Sequence, residues 1–342
     1  MSAVIPGIRQ RSTDSPWGCL NLMDFRGGSI DTSKVSVPTI DNIDERKPSY
    51  NFSLYQPGDG SERDLDRIPQ RYLSMLKGNR PAALAALNAT LKWRQEHRID
   101  TILQEPHANF DIYKAASVHY FLGRDATGHV VFLQRPALDS RALFRLAKRN
   151  HCLNVPEMIL HYAYVMEYLW NVLDPPTPCS SNNKSDGSIR SVTTIIDLTG
   201  IDLSILRQRE LLGFVKQFVL MTTTHYPQRA YKTLIVNAPP WFQQVYRMIA
   251  PLLRENTKAK IEILRRQSQH QVDVLRQVLG DDLMQYLPPE LLVTDQVYHQ
   301  VRSIDGNRNH ARSVVIPPME TQFREFVLAR LQEAGMEMNS LV

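Results

Sequence analysis

In the second half of the chain, three strand-like segments alternate with two helix-like segments. The segments VTTIIDL, KTLIVN and KIEIL, which begin at Val192, Lys232 and Lys260, are rich in β-branched and aliphatic residues. Between them lie LRQRELLGFVKQFVLMTTT and PPWFQQVYRMIAPLL, whose apolar residues recur at helical spacing. Strands that alternate with helices form right-handed βαβ units, in which the strands pair in parallel. The pattern therefore predicts an α/β fold with a mostly parallel sheet.

Earlier segments predict further elements. HVVFLQ has the composition of a strand, and PEMILHYAYVMEYLWNVL carries apolar residues at helical spacing. Upstream, two short amphipathic segments are separated at Gly78 and resume at Pro81, a residue that suits the first turn of a helix. Residues 1–64 mix Ser, Asp, Gly and Pro without a sustained period and predict a disordered tail. Residues 174–188 are rich in Pro, Ser and Asn and predict an exposed, mobile loop.

Charge and cysteine content narrow the class of protein. The 342 residues include 40 Lys and Arg against 35 Asp and Glu, a net charge of +5 that favours anionic partners such as a membrane surface. This excess is too small for a nucleic-acid-binding tail.

Cys19, Cys152 and Cys179 are too scattered for a metal site or a disulfide framework, so we predict a reducing, cytoplasmic location and no metal. The N-terminus resembles no signal peptide and no run of about 18 apolar residues occurs, so membrane contact should be peripheral.

Enzymatic motifs are missing from the sequence. It contains neither G-x-G-x-x-G nor G-x-x-x-x-G-K-[ST], which cradle phosphates, and neither G-x-S-x-G nor H-E-x-x-H. Asp197 ends a predicted strand and His225 ends a predicted helix, so these two residues form the best candidate general acid/base pair. Each also has a structural interpretation, because Asp197 suits the capping of backbone amides at a strand end.

The predicted helix WFQQVYRMIAPLL carries a broad apolar stripe. Polar Gln243, Gln244 and Arg247 lie opposite it, and its members are Trp241, Phe242, Val245, Met248, Ile249, Leu252 and Leu253. Periodicity alone does not decide whether such a stripe faces the protein core or a ligand.

Five segments between Leu65 and about Leu292 are informative through their order and spacing: KWRQEHRIDTILQ, IIDLTGIDLS, HYPQRAYKTLIVNAPPWFQQVYRMIAPLL, TKAKIEIL and LPPEL. Together they resemble the CRAL-TRIO family of lipid-binding and lipid-transfer proteins. The resemblance implies an N-terminal α-helical subdomain (residues 65–104) and a lipid-binding α/β domain (105–300) whose mostly parallel sheet floors a lipid cavity. Residues 301–342 are then a C-terminal extension with one amphipathic helix.

The resemblance also implies roles for the stripe and for Asp197. PPWFQQVYRMIAPLL is similar to the family's mobile gate helix, so Trp241, Phe242, Val245 and Ile249 would line the cavity mouth, together with Phe132 from an earlier strand. The family is not catalytic, and its Asp-x-x-Gly is structural. Asp197 is therefore expected to shape a turn.

Headgroup contacts follow from matching positions. Thr257, Lys260 and Arg229 match residues that contact the inositol phosphate in phosphatidylinositol-binding members, and Gln228 occupies a position that is acidic in them. Lys77 matches a cation of the N-terminal helices. Such cations would pair with a buried phosphodiester.

A choline headgroup is less well matched by the sequence. Thr194 matches one polar contact of the phosphatidylcholine site, whereas Val192 and Phe132 stand where that site has hydroxyls. The resemblance thus implies a soluble, non-enzymatic carrier of one lipid, with phosphatidylinositol or a related phosphoinositide favoured and no other cofactor. The alternative is a protein-interaction adaptor that uses the same fold.

Overall fold

One sheet contains five strands, which lie side by side in chain order: β1 (Val118–Arg124), β2 (Val130–Arg135), β3 (Val192–Asp197), β4 (Ala230–Ala238) and β5 (Ile261–Arg265). The computed structural model describes residues 68–136, 155–175, 190–201, 209–266, 268–292 and 316–336, all within one compact unit, Arg46–Val342. β1 pairs antiparallel with β2, and the remaining neighbours pair in parallel, as the alternation of strands and helices predicts. The α/β fold class is confirmed.

β1 is missing from the sequence prediction. Its sequence, VHYFLGR, does not alternate regularly, and the pairing register shifts between Phe121 and Gly123. Gly123 adopts φ +152, and a Cβ on it would lie 2.6 Å from Leu283. The irregular strand therefore depends on a glycine at a close approach, a combination that hides the period-2 pattern.

Helices flank the sheet and extend beyond it. The helix Val155–Tyr168 (α4) continues into a π-helical turn, Leu169–Leu173, and the helix Phe242–Ile249 (α6) continues into a 3₁₀ turn, Ala250–Leu252. Among the described residues, no helix is both long enough and apolar enough to cross a membrane. The helices are α1 (Gln70–Met75), α2 (Arg80–Glu96), α3 (Phe110–Ala116), α4 (Val155–Tyr168), α5 (Arg209–His225), α6 (Phe242–Ile249), α7 (Glu255–Lys258), α8 (Gln269–Leu279), α9 (Asp281–Met284) and α10 (Pro318–Glu333).

The break between α1 and α2 has a local cause. Lys77 and Gly78 both adopt left-handed backbone conformations, with φ values of 53 and 80, and the Gly78 amide donates to the Leu73 carbonyl. This geometry ends α1. α2 then begins behind Asn79, whose side chain accepts a hydrogen bond from the amide of Ala82, with Pro81 in the first turn.

Side chains alternate between the two faces of the sheet. On one face, a core of strand residues packs against α8 and α9; it includes Val131, Leu133, Ile195, Leu234, Val236, Val272, Leu275 and Leu279. On the other face, Phe132 and Val192 belong to a second core with α4, and Ile235 packs against the α6 residues Phe242 and Val245. This second face carries the cavity described below.

The C-terminal helix α10 packs against β1. Glu320, with 0% of its surface exposed, pairs with Lys114 at 2.6 Å and accepts a hydrogen bond from the backbone amide of Phe121 at 3.2 Å. Phe323 is also fully buried. α10 thus covers β1, the edge strand of the sheet. The backbone groups of an uncovered edge strand are open to pairing with a strand of another molecule.

Some sequence predictions lie outside the described residues: the tail at 1–64, all three cysteines, and the predicted loop beyond Pro175. The domain boundaries at residues 64, 104 and 300 stay predictions.

Candidate functional site

A cavity of about 330 Å³ lies over the second face of the sheet. Alternate residues of four strands form its floor, among them Phe132, Thr194, Ile196, Ile235 and Ile261. The walls come from α4, α5 and α6, through residues that include Tyr162, Met166, Phe214, Phe218 and Val245. The cavity is therefore a gap between sheet and helices with a mainly apolar lining, which is the usual character of a ligand pocket.

α6 supplies one wall of the cavity. Trp241, Phe242, Val245 and Ile249 all line it, as the helical spacing and the resemblance predict. Gln243, Gln244 and Arg247 are exposed on the opposite side.

Two members of the predicted stripe, Met248 and Leu252, are not among the residues that line the cavity. Met248 is 45% exposed and is not among the lining residues, whereas its neighbour Ile249 is. The α-helix ends at Ile249, and Pro251 lies in the following 3₁₀ turn. Proline lacks an amide hydrogen and clashes with the carbonyl four residues earlier, so the regular stripe cannot continue.

The charged lining residues are all cations. Among the described residues, Arg229, Arg254 and Lys260 contribute to the lining, and no carboxylate does. Arg254 sits at an exposed position and donates to the carbonyl of Met75 at 3.5 Å. An anionic group is the ligand that such a lining favours.

Arg229 stands between α5 and β4. Its guanidinium carbon lies 4.1 Å from the ring centre of Trp170, and Nη1 donates to the carbonyl of Arg190 at 3.1 Å. Burial, followed by the positive charges of Arg71 and Arg190, lowers the pKa of Arg229 to about 9. The guanidinium keeps its charge at neutral pH, but its surroundings disfavour that charge.

Lys260 directly precedes β5. Its Nζ donates to the carbonyl oxygen of Ala230 at 2.6 Å, which places the ammonium group beside the residue that follows Arg229. Burial lowers the pKa of Lys260. An ammonium group has three donors, so two remain for a ligand.

Polar side chains with open hydrogen-bonding capacity lie in the same cavity. Gln228, Thr257 and Thr194 are lining residues, and their side chains make no hydrogen bond to the described part of the chain. Gln228 adopts φ 58 in the turn that joins α5 to β4. The structure thus brings five of the six predicted headgroup residues to one cavity.

Lys77 is the exception among the predicted headgroup residues. It is exposed in the left-handed turn after α1 and does not line the cavity. Met75, in the last turn of α1, does line it. Because residues four apart share a helix face, Arg71 lies one turn behind Met75 on the cavity-facing side of α1. Arg71 is not a lining residue either, but its positive charge is among the causes that lower the pKa of Arg229.

Asp197 shapes a turn, as the resemblance implies. It is 1% exposed, pairs with Arg135 at 2.9 Å, and accepts hydrogen bonds from the backbone and hydroxyl of Thr199 and from Asn237. Gly200 completes the turn with φ 81. These partners use the acceptor capacity of the carboxylate.

His225 does not approach Asp197. Its ring stacks on Trp93 with centroids 4.1 Å apart, and its Nδ1 contacts the hydroxyl of Thr90. Asp197 is level with Val236 on β4, whereas His225 precedes the first residue of that strand, Ala230. Six residues of strand span roughly 20 Å. The candidate acid/base pair is therefore wrong.

Other residues near the cavity were not predicted from the sequence. Trp170 and Arg190 gave no local signal, because Trp170 is one more apolar residue of the segment PEMILHYAYVMEYLWNVL and Arg190 follows a polar segment. Among the described residues, no group of three or more His, Cys, Asp or Glu side chains is arranged to hold a metal ion.

Comparison with known proteins gives consistent matches. A SEC14 cytosolic factor of Eremothecium gossypii is 27% identical over 215 residues, which cover 62% of this chain and 65% of that protein. The phosphatidylinositol/phosphatidylcholine transfer protein SFH11 of Arabidopsis thaliana is 23% identical over 57% of this chain and 50% of that protein. The solved structure of Sfh5 aligns with 64% of this chain and 68% of its own, with 18% identity and a TM-score of 0.47. The chain thus spans about two thirds of the first relative and half of the second.

A family model, that of the CRAL/TRIO domain, matches residues 115–293. This region contains the whole sheet, the cavity floor and the wall formed by α6. It also accounts for more than half of the chain. The protein therefore belongs to the CRAL/TRIO domain family.

Proposed function

We propose that the protein holds a single lipid, phosphatidylinositol or a related phosphoinositide, in this cavity and exchanges it at membranes. The observation that supports the proposal is the composition of the lining. Apolar side chains surround most of the cavity, and the charged lining residues that the structure describes are cations that lie just before β4, just before β5 and after α6. Acyl chains suit the apolar part, and a phosphodiester suits the cations.

The headgroup preference rests on the polar residues of the cavity. Arg229 and Lys260 each have unused donors, and Gln228 and Thr257 offer hydrogen bonds to inositol hydroxyls. For choline the lining is poorer, because Val192 and Phe132 are apolar and Thr194 alone supplies a hydroxyl there. The transfer protein SFH11 carries both headgroups in its name, and the match to it supports a phospholipid ligand.

Energetics require a membrane for exchange. Burial stabilises a lipid by about 0.8 kcal/mol per CH₂, so two acyl chains contribute on the order of 20 kcal/mol and release into water is too slow. We therefore propose that α6 opens as a gate at an anionic bilayer, with Arg247 and Arg254 near the mouth as the attracting cations. Lys258 contributes less, because it pairs with Glu255 at 2.7 Å.

The protein then acts as a cytoplasmic, peripherally membrane-associated carrier and not as an enzyme. It needs no cofactor besides the bound lipid and no nucleic acid. The separation of Asp197 from His225 supports this view, since the nominated pair does not share a site.

Lipid identification tests the proposal. The full chain is purified, its bound lipids are extracted and analysed by mass spectrometry, and transfer of phosphatidylinositol between donor and acceptor vesicles is measured. We expect about one phosphatidylinositol-class lipid per protein and protein-dependent transfer. If no lipid co-purifies and no transfer occurs, the carrier function is wrong and the adaptor function takes its place.

A further inference from the structure

We propose that the end of the cavity beside the last residues of β2 binds the hydroxyl group of an uncharged lipid alcohol, through the side-chain amide of Gln134. Sterols and long-chain alcohols belong to this class of lipid. Such a lipid occupies the cavity in place of phosphatidylinositol, with its hydroxyl group far from the cations. The inference goes beyond the proposed ligand and rests on the proposed function only in that the cavity holds a lipid.

Gln134 is a buried polar residue that faces the cavity. It is 7% exposed, and it lines the cavity from β2. Its side-chain amide makes no hydrogen bond to the described part of the chain. An amide group carries two N–H donors and an acceptor oxygen, and burial without partners is unfavourable for each of them. A ligand that supplies a donor and an acceptor at this point is therefore favoured.

Gln271 shows how the same side chain is satisfied elsewhere in the protein. It is fully buried, and its Oε1 accepts a hydrogen bond from the backbone amide of Asn237 at 2.8 Å. Its Nε2 donates to Oδ1 of Asn237 at 3.0 Å and to the carbonyl of Leu291 at 3.3 Å. A glutamine in the protein core thus has its partners built in, whereas Gln134 has none among the described residues.

The register of the sheet places Gln134 away from the cations. Val130 of β2 pairs with Val192 of β3, which pairs in turn with Ala230, the residue whose carbonyl binds Lys260. Gln134 lies four residues further along β2, and four residues of strand span roughly 13 Å. The amide therefore lies at the opposite end of the cavity floor from Lys260.

A phospholipid held at Lys260 does not bring a polar group to Gln134. The ester carbonyls of a phospholipid lie only a few bonds from its phosphate, so they stay near the cations. The acyl chains beyond them have no hydrogen-bonding groups. Phosphatidylinositol in the proposed orientation therefore leaves the Gln134 amide without a partner, which favours a different ligand at this end.

Two hydroxyl groups lie on the same part of the lining. Ser117 comes directly before β1, two residues from His119, which pairs with Gln134 across the sheet. Its hydroxyl group forms a hydrogen bond with that of Tyr162, and both residues line the cavity. One hydroxyl donates to the other, so the proton of the accepting hydroxyl stays available to a ligand oxygen.

The ligand group that suits this end is uncharged. The cations among the described lining residues lie at the other end, before β4, before β5 and after α6. Arg135, the neighbour of Gln134, pairs with Asp197 at 2.9 Å. The carboxylate of a fatty acid would be buried here without a cation. An alcohol has one donor and two acceptor lone pairs, so it can bond to the amide and to a lining hydroxyl at the same time.

Loading of lipid alcohols tests the inference. The full chain is incubated with phosphatidylcholine vesicles that contain dehydroergosterol or oleyl alcohol, or the methyl ether of either, and protein-bound lipid is quantified by mass spectrometry. Each ether keeps the apolar body and an acceptor oxygen but loses the donor. We expect wild type to load at least one of the two alcohols, and to load the corresponding ether about tenfold less.

Gln134→Leu removes the amide group and keeps the approximate size of the side chain. Loading of the alcohol should fall about tenfold, whereas loading of phosphatidylinositol should not fall. Gln217→Leu is the matched control, because Gln217 is an exposed residue of α5 that does not line the cavity. Thermal unfolding of each variant distinguishes a loss of loading from a loss of fold, and the comparison of alcohol with ether in wild type needs no variant.

The outcomes separate this inference from the proposed function. The hydroxyl site is wrong if wild type loads neither alcohol, if alcohol and ether load equally, or if Gln134→Leu behaves like Gln217→Leu. Phosphatidylinositol loading, measured in parallel, then still decides the proposed function. If an alcohol is loaded through Gln134 and phosphatidylinositol is not loaded, the inference stands and the phosphatidylinositol proposal fails. If no lipid of either kind is loaded, both are overturned.

Discussion

The Nζ atom of Lys260 lies 2.6 Å from the carbonyl oxygen of Ala230, and in the described part of the chain no carboxylate pairs with it. A lysine that lines a cavity with a single neutral partner is placed to receive an anion. The same arrangement recurs at Arg229, whose partners are a carbonyl and an aromatic ring. Charge at this end of the cavity is therefore left for a ligand to balance.

Replacing Lys260 should abolish headgroup selectivity. In Lys260→Met the phosphodiester loses its ammonium partner inside the cavity, and we expect phosphatidylinositol binding to weaken by about 3 kcal/mol, roughly a hundredfold. Loading of a neutral lipid such as diacylglycerol should persist, because the apolar lining is intact. Lys232→Met is the control, since Lys232 pairs with Glu262 and does not line the cavity. Equal phosphatidylinositol uptake by wild type and Lys260→Met would contradict the headgroup assignment.

Filling the cavity should block loading without unfolding the protein. Ile249→Trp places a larger side chain against the ligand space, and we expect lipid loading to fall below a tenth of wild type while the free energy of unfolding changes by about 2 kcal/mol or less. Met248→Trp provides the comparison, because Met248 is the adjacent residue and is 45% exposed. Loading measured by lipid mass spectrometry and stability measured by urea unfolding distinguish the two. Normal loading by Ile249→Trp would show that this wall does not face the ligand.

Adding a carboxylate at Gln228 should shift headgroup preference. Gln228→Glu is nearly isosteric, lies in the cavity lining, and leaves a non-glycine residue in the same left-handed turn. The new charge accepts hydrogen bonds from inositol hydroxyls but repels an additional phosphate. We expect the loading ratio of phosphatidylinositol to its 4-phosphate to rise about tenfold. An unchanged ratio would mean that Gln228 does not contact the inositol ring.

Asp197 should matter for stability and not for chemistry. Asp197→Ala breaks the buried pair with Arg135 and removes the acceptor for Thr199 and Asn237, so we expect a loss of about 3 kcal/mol in the free energy of unfolding. Asp197→Asn keeps an acceptor and should cost about half as much. Lipid loaded per folded molecule should be unchanged in both variants. Hydrolysis of a lipid ester that disappears in Asp197→Asn would overturn the non-enzymatic assignment.

A buried histidine cluster should make stability depend on pH. His107 contacts His161 at 3.0 Å, and burial lowers the pKa of His107 to about 4. Burial also lowers the pKa values of His161 and His119 well below the ordinary value, with Lys114 adding repulsion. Because these folded-state pKa values lie below the unfolded value of about 6.5, the unfolded chain binds more protons in acid. The stabilisation is complete above pH 6.5 and is lost as the pH falls from 6.5 towards 4.

Urea unfolding across this range measures the effect. In His107→Gln the decline between pH 6.5 and pH 4 should be smaller than in wild type by about 3 kcal/mol at most. His270→Gln, a change at a histidine whose side chain is 72% exposed, should leave the decline unchanged. If the free energy of unfolding falls equally in wild type and His107→Gln between pH 6.5 and pH 4, the histidine cluster does not cause the loss of stability in acid.

Local patterns in the sequence determined most elements of the fold. The strands β2 to β5 and the helices α4 and α6 follow from β-branched runs and helical spacing, because these depend on residues a few positions apart. The same reasoning predicts the apolar stripe of Trp241, Phe242, Val245 and Ile249. The cavity behind this stripe was predicted from the family resemblance, which depends on the order of five segments along the chain.

Tertiary structure alone decided which charged residues meet at the cavity. Lys77 and Arg71 are six residues apart and alike in charge, yet the left-handed turn at Lys77 and Gly78 directs the first into solvent while α1 carries the second towards Arg229. Arg190 and Trp170 come together across a segment of about twenty residues. Asp197 and His225 lie at opposite ends of parallel strands. Such relationships depend on long-range packing and strand direction, which no local pattern of residues contains.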